Sequence, residues 1–284
     1  MVLVLGGKGQ LGKCIENIVG NNDNYSFLDV EEIDITKIES IEKYINNNKV
    51  DVIVNCAAYT NVENAENDLN KVYDINSFGV KNLTKVCKKN NIFLIHISTD
   101  FVFNGGKRTP YNECDICYPL NVYGRSKLLG ETAILEHNDS LIIRTSWLYS
   151  EYGKNFFLTM KDRITNKQTT NVVYDQIGSP TYAKDLANFI VKIIEENRLS
   201  EFTGIYHYSN EGSCSWYDFA VAIEYLLMGE NLNIKPCSSK EFKTIAERPL
   251  YSVMSKEKIK NKNIEIRHWL YALKDCVEQY NKNI

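Results

Sequence analysis

Apolar residues in the first half of the chain fall into short unbroken runs separated by longer stretches of helical spacing. Val2-Leu3-Val4-Leu5, Tyr25 to Asp29, Val50 to Ala58, Ile92 to Ser98 and Leu141 to Trp147 are runs of strand-forming residues. Such runs predict strands covered on both faces. Between them Leu11, Cys14, Ile15 and Ile18 mark a helix, and further helices are expected from about Lys37 to Asn48, Asn67 to Asn90 and Tyr123 to His137. Strictly alternating strands and helices predict an α/β fold with a doubly wound parallel sheet. Past Trp147 the pattern loosens. Helices are expected over Asn155 to Ile164, Ala183 to Glu196, Ser215 to Met228 (capped by Ser215) and Lys262 to Gln279. Strands are expected at Val172-Val173-Tyr174 and Gly204 to Tyr208. The expected division is a sheet domain of residues 1–147, rejoined by about 170–200, and a smaller C-terminal α/β lobe of about 148–169 and 201–284.

The first strand runs directly into Gly6-Gly7-Lys8-Gly9-Gln10-Leu11-Gly12 and then into a helix. Glycines at 6, 9 and 12 permit a tight turn, close approach of the backbone to a pyrophosphate, and close packing of helix on strand. The phosphates of a dinucleotide would lie at the helix N-terminus. Asp29, at the end of the second strand, is placed where a carboxylate contacts the adenosine ribose, although a solvated loop carboxylate beside Glu31 and Glu32 fits equally. An acid there favours NADH over NADPH, and Lys8 can offset it, so the choice between the two stays open. Asp34-Ile35-Thr36 is expected to cap the following helix.

Ligands of open parallel sheets bind beyond the carboxyl ends of strands, so Ser98, Thr99 and Asp100 point at the expected site. Tyr123 and Lys127 lie four apart, one turn of helix from each other. A phenol that exchanges a proton near neutrality benefits from an ammonium neighbour.

Composition narrows the classes. The chain has 284 residues, 44% hydrophobic and 24% charged, with a formal net charge of −3. It has enough apolar residues for a full core and no basic excess for nucleic acid. No run is long enough to span a bilayer, and Met1 to Gly6 lacks the basic lead-in of a signal peptide, so a cytoplasmic protein is expected. Among eight cysteines only Cys114 and Cys117 form C-x-x-C, in a Pro-flanked loop. None of His96, His137, His207 and His268 is spaced to complete a zinc site, so no metal is expected.

Together these motifs resemble the extended short-chain dehydrogenase/reductases, which have a Rossmann-type sheet, and within them the dTDP-4-dehydrorhamnose reductase family. Matching stretches run almost the whole length. They include Gly9-Gln10-Leu11-Gly12, Asn55 to Thr60, Ser98 to Phe103, Tyr123 to Glu131, Arg144 to Tyr149, Gly153 to Phe156, Asp175 to Thr181, Ser215-Trp216-Tyr217 and Arg248-Pro249. The resemblance implies NADPH- or NADH-dependent reduction at C4 of a nucleotide-linked 4-keto-6-deoxy sugar bound by the C-terminal lobe. It implies that Tyr123 gives the proton, Lys127 tunes it and holds the nicotinamide ribose, and Thr99 binds the carbonyl. Asp100 and Trp147 would contact the sugar and Arg248 the diphosphate, while Gly9 to Leu11, Asp29, Asp34, Ile35 and Ala58-Tyr59-Thr60 would line the cofactor. Two features depart from the family. Cys56 stands where alanine is usual, and Lys13-Cys14 replace the acid of relatives that form a metal-bridged dimer, so a dimer of that kind is not expected and a homodimer of another kind stays open. The alternatives are an epimerase or dehydratase on the same fold, or a non-catalytic subunit similar to the regulatory subunit of methionine adenosyltransferase. A dehydratase would want a glutamate where Phe101 stands.

Overall fold

The computed structural model describes residues 1–229 and 233–282. Each expected run of the first half forms a strand with slightly displaced ends, and helices fill the gaps. In order they are β1 (Val2–Leu5), α1 (Gln10–Val19), β2 (Tyr25–Leu28), α2 (Ile38–Asn47), β3 (Val52–Asn55), α3 (Val62–Ala65), α4 (Leu69–Tyr73), α5 (Val80–Asn90), β4 (Phe93–Thr99), α6 (Val122–Ile134) and β5 (Ser140–Thr145). Next come β6 (Leu148–Tyr149), α7 (Phe156–Thr165), β7 (Thr170–Val173), β8 (Ile177–Gly178), β9 (Thr181–Tyr182), α8 (Ala183–Glu195) and β10 (Gly204–His207). The chain then forms β11 (Cys214–Ser215), α9 (Trp216–Met228), β12 (Ile234–Cys237), α10 (Glu257–Lys260) and α11 (Trp269–Lys282). No helix among the described residues is long and apolar enough to cross a membrane.

Six strands make one parallel sheet in the order β10-β5-β4-β3-β1-β2. From β1 the chain steps outward to β2, then back past β1 to β3. That reversal opens a crevice beyond the carboxyl ends of β1 and β3, where ligands of doubly wound folds sit. Leu11 and Ile15 of α1 and Leu186 and Ile190 of α8 bury one face of the sheet, and Ile41 of α2 with Val80, Leu83 and Val86 of α5 bury the other. A separate core in the lobe joins Phe157, Phe219, Trp269 and Leu273.

The expected division is displaced at two places. Gly204–His207 belongs to the sheet, because its backbone pairs in parallel with β5 and closes that edge. Thr170–Val173 instead pairs with β12 in a small lobe sheet, so the chain rejoins the sheet domain only with α8. Asp34 also differs from its expected capping role. Its Oδ1 accepts from the Thr36 N–H (3.0 Å) and hydroxyl (2.6 Å), closing a local turn, and Lys37 is the N-cap of α2 with no side-chain bond.

The long helix expected over Asn67 to Asn90 is interrupted by a π-helical stretch, Asp74–Gly79, between α4 and α5. Such bulges insert one residue per turn and often mark functional sites. Here the bulge turns Asn76 inward, where it is buried against α6. Gly130 of α6 permits this approach: a Cβ on it would stand 2.3 Å from the Asn76 carbonyl oxygen. Glycine to alanine inside a helix ordinarily stabilises by roughly 0.5–1 kcal/mol. Gly130→Ala is expected to do the opposite, costing about 1–3 kcal/mol through overpacking. Urea unfolding checks the sign, and a stabilised variant would show that α6 does not rest on this carbonyl.

Candidate active site

At the end of β1 the Gly7 N–H donates to the Leu28 carbonyl at 3.1 Å and the Gly9 N–H to Gly6 at 3.0 Å, forming a tight turn into α1. A Cβ on Gly12 would stand 2.6 Å from the carbonyl oxygens of Gly6 and Gly7, so the first turn of α1 closes against the loop only with glycine there. Gly9 is the N-cap and offers no side chain to the helix's first amides. These amides suit a phosphate, so the residues present fit a dinucleotide. Gln10 joins the turn to the lobe: its Oε1 accepts from Ser150 Oγ at 3.2 Å and from Asn155 Nδ2 at 3.0 Å, and Asn155 caps α7.

The cavity over the crevice measures about 530 Å³. Gly9, Gln10 and Leu11 line one part of it, with Ala58 and Thr60 beside β3. Thr99, Asp100, Tyr123 and Lys127 line its middle, and Trp147 and Arg248 complete it. Gly6, Gly12, Asp29, Asp34, Ile35 and Tyr59 are not among its lining residues. Asp29 lies at the end of β2, accepting from the backbone N–H of Lys8 and of Val30 (3.1 and 2.9 Å), while the Lys8 ammonium is taken by Glu31 at 2.8 Å. Ile35 is buried beneath Gly79, and Tyr59 is held by its backbone to Asn76.

Thr99 ends β4 with its hydroxyl accepting from the Phe101 N–H (3.2 Å). Tyr123 and Lys127 rise from α6, whose N-terminus is capped by Asn121 bonding the Gly124 N–H at 2.8 Å. Burial pushes the Tyr123 phenol up to about 12, with the Thr99 hydroxyl opposing and the Asp100 charge adding. The expected depression by Lys127 is not among the influences on the phenol in the free protein, and it stays a protonated acid at neutral pH. Lys127 is itself brought down to about 8 by burial, against the attraction of Glu131 and Cys56. Its Nζ donates to the Ile97 carbonyl at 2.6 Å and lies 3.2 Å from His96 Nε2.

Trp147 has a left-handed backbone, φ +49°, rare for a bulky side chain. Its ring stacks on Trp216 at 3.6 Å between centroids and 8° between planes, so lobe and sheet share one aromatic wall of the cavity. Arg248 is partly committed: Nη2 donates to Glu63 Oε1 at 2.7 Å, whereas its Nε is buried with no protein partner among the described residues.

Several supporting residues carry no signal in local spacing. Asn76 accepts from the Tyr59 N–H (2.9 Å) and donates to the Tyr59 carbonyl and to Ser126 Oγ, both at 3.0 Å. Glu131 pairs with Arg144 at 2.7 Å and accepts from Ser98, all three buried. Asn55 and His96 lie side by side on β3 and β4, 3.0 Å apart. A polar residue inside an otherwise apolar strand run, as at Asn55 and His96, is the one sequence cue to them.

A family model described as the RmlD substrate binding domain matches residues 1–282. The chain belongs to the RmlD substrate binding domain family. Among its relatives, a dTDP-4-dehydrorhamnose reductase of Aggregatibacter actinomycetemcomitans is 38% identical, the match covering 96% of this chain and 97% of that protein. The spore coat polysaccharide biosynthesis protein SpsK of Bacillus subtilis is 40% identical, over 98% of this chain and 97% of its own. The fold agrees with a crystal structure of dTDP-4-dehydrorhamnose reductase from Bacillus anthracis in complex with NADP. That structure has a TM-score of 0.91 and 36% identity, with 98% of each chain covered.

Asp100 supplies a pH test. Its carboxyl is buried, Oδ2 has no partner at hydrogen-bond geometry among the described residues, and burial pushes it up to about 6 against the opposing hydroxyls of Ser252 and Thr99. A folded-state value above the ordinary 3.9 means that the folded chain holds the proton more tightly than the unfolded one. That contribution is complete below about pH 4 and is lost as pH rises through about 6. Asp100→Asn is therefore expected to be more stable than wild type at pH 7.5 by roughly 2–3 kcal/mol, the gap closing toward pH 4. Denaturation curves across this range check it, and a pH-independent difference would show that the carboxyl ionises freely.

Proposed function

We propose that this chain reduces the C4 keto group of dTDP-4-dehydro-L-rhamnose to give dTDP-L-rhamnose, using NADPH or NADH. The observation that carries the reading is the meeting of Thr99, Tyr123 and Lys127 in one cavity with the Gly9 to Leu11 turn. The names of the relatives support the substrate class, and the NADP complex of the Bacillus anthracis protein supports the cofactor. The nicotinamide cofactor supplies the hydride when bound. Thr99, whose hydroxyl donates to Asp100 Oδ1 in the free protein, turns it to the carbonyl oxygen and so favours charge developing there. Tyr123, a protonated phenol in the free site, gives its proton to the alkoxide. Lys127, as an ammonium, offsets the phenolate that results and holds the nicotinamide ribose.

Asp100, with an open acceptor, takes a sugar hydroxyl, and the Trp147–Trp216 wall packs against the apolar face of the sugar. Arg248, with a buried Nε still unpaired, faces the diphosphate. Gly9, Gln10 and Leu11 carry the cofactor phosphates, with Ala58, Tyr59 and Thr60 along its length, Gly6 and Gly12 shaping the turn, and Asp29, Asp34 and Ile35 on its adenosine side. The residue after Asp100 is Phe101, whose ring meets Tyr123 edge-on at 5.7 Å. No carboxylate stands there to protonate a leaving hydroxyl, which favours reduction over dehydration.

With dTDP-4-dehydro-L-rhamnose generated enzymatically in place, the wild type is expected to oxidise NADPH or NADH, read at 340 nm. Tyr123→Phe keeps the ring and removes the acid, so kcat should fall by about 10²–10⁴-fold with cofactor binding retained. A wild type that binds cofactor and leaves the keto-sugar untouched would sink the reading.

A further inference from the structure

His96 lies in the middle of β4 with its side chain fully buried, although it is not among the residues lining the cavity. Both ring nitrogens have partners, and the network decides which one carries the proton. The Ala57 N–H donates to Asn55 Oδ1 at 3.1 Å, which orients the Asn55 amide and leaves Nδ2 facing His96 Nδ1 at 3.0 Å. An amide NH₂ only donates, so Nδ1 accepts. A neutral imidazole then carries its one hydrogen on Nε2, which faces Lys127 Nζ at 3.2 Å. Reversing the Asn55 amide would turn its NH₂ against the Ala57 N–H and strand a donor.

An ammonium has three donors and no acceptor, whereas an amine has one lone pair. The Nε2–H of His96 therefore satisfies Lys127 only as an amine, which donates onward to the Ile97 carbonyl at 2.6 Å. The bonds run in one direction from the Ala57 amide to the Ile97 carbonyl, and Lys127 is the only member that can change charge without breaking the backbone ends. Burial holds His96 well below its ordinary value, with the neighbouring Lys127 adding to this, so the ring is neutral at physiological pH.

We propose that His96 is a positioning residue that acts through Lys127: oriented by Asn55, its Nε2–H favours the amine and sets the pH at which Lys127 takes up a proton. The proposal deepens the reductase reading, since it makes the charge beside Tyr123 adjustable and assigns the adjustment to His96. Other groups around Lys127 do not take over that role. On α6, Glu131, paired with Arg144, acts in the opposite sense by favouring the ammonium, and Tyr123 is a neutral phenol. Beyond β3 the Cys56 thiol is pushed up to about 12 by burial and is neutral, and beyond β4 Asp100 accepts from the Thr99 hydroxyl at 3.2 Å.

The test titrates the free protein, labelled with ¹³C at lysine Cε, by NMR, with the Lys127 signal assigned by its loss in Lys127→Met. His96→Gln can present a carbonyl oxygen to the ammonium. Asn55→Leu releases the orientation of the imidazole without changing any group bonded to Lys127. Each is expected to move the Lys127 midpoint upward by about one pH unit, the scale of one hydrogen bond to a charged group. A midpoint that stays or falls in either folded variant overturns the proposal. The alkaline limb of the kcat profile should follow the same shift, whereas a merely structural His96 would lower activity at every pH alike. Because the titration needs neither cofactor nor keto-sugar, failure of the reductase assay would leave this result standing, and the converse holds.

Discussion

Glu131 and Arg144 meet at 2.7 Å with only 2–3% of either side chain exposed, and Ser98 adds its hydroxyl to the same carboxylate. The three residues come from α6, β5 and β4, so one charge pair fixes the helix of the site against two strands at once. Arg144 presents Nε and Nη2 to both carboxylate oxygens, at 2.7–3.2 Å, the two-pronged geometry that makes such pairs strong. Removing water from both charges is expensive, and the pair is weak evidence of net stability. Its effect is better described as positional. Leaving either charge alone here would cost about 3–5 kcal/mol, so any displacement of α6 that parts them is strongly resisted. Tyr123 and Lys127 lie two turns and one turn before Glu131 on that helix and inherit its placement.

The other side of α6 is set by a different device. The π-helical stretch turns Asn76 toward the helix, and Gly130 lets the backbones touch. Asn76 then spends its amide on both backbone groups of Tyr59 and on Ser126. The loop after β3 and α6 are thereby bonded to one side chain. Ionic pairing on one flank and a satisfied amide on the other leave α6 little freedom to slide, as the proposed reduction would require of a proton donor that must meet one carbonyl oxygen while hydride reaches its carbon.

Much of the sheet was legible because its strands are buried on both faces and read as unbroken apolar runs. The glycine turn, Tyr123 with Lys127, and the strand-end Thr99 and Asp100 were legible because each depends on spacing within a dozen residues. Asn76, His96 and the Glu131–Arg144 pair were not, since their meaning lies in contacts across 13 to 50 residues of sequence. Asn76 was further hidden because a π stretch has no period that an alternating pattern reveals. The pairing of edge strand β10 is not legible, because nothing in Gly204-Ile205-Tyr206-His207 shows which neighbour it will join. Asp34 reads as a helix cap because Asp before a helical run usually is one. Here Thr36 offered both an amide and a hydroxyl nearer to hand.

The site also holds groups that the protein itself leaves unsatisfied. Asp100 carries a buried oxygen with no protein partner, Arg248 a buried Nε in the same condition, and Trp147 a left-handed backbone. A bulky residue held at φ +49° costs of order 1–3 kcal/mol, and it persists only where its surroundings enforce it. The surroundings here are the face-to-face contact with Trp216. These three border the same cavity, and each is of a kind that a polar, partly apolar ligand would relieve: an acceptor for a hydroxyl, a donor for an anion, a flat wall for a ring. Other buried atoms without a partner, such as the Tyr25 and Tyr149 hydroxyls, lie away from the cavity, so lack of a partner alone does not mark a site. What sets these three apart is that they stand together beside a helix fixed by a buried ion pair, where a bound ligand would return the stability they give up.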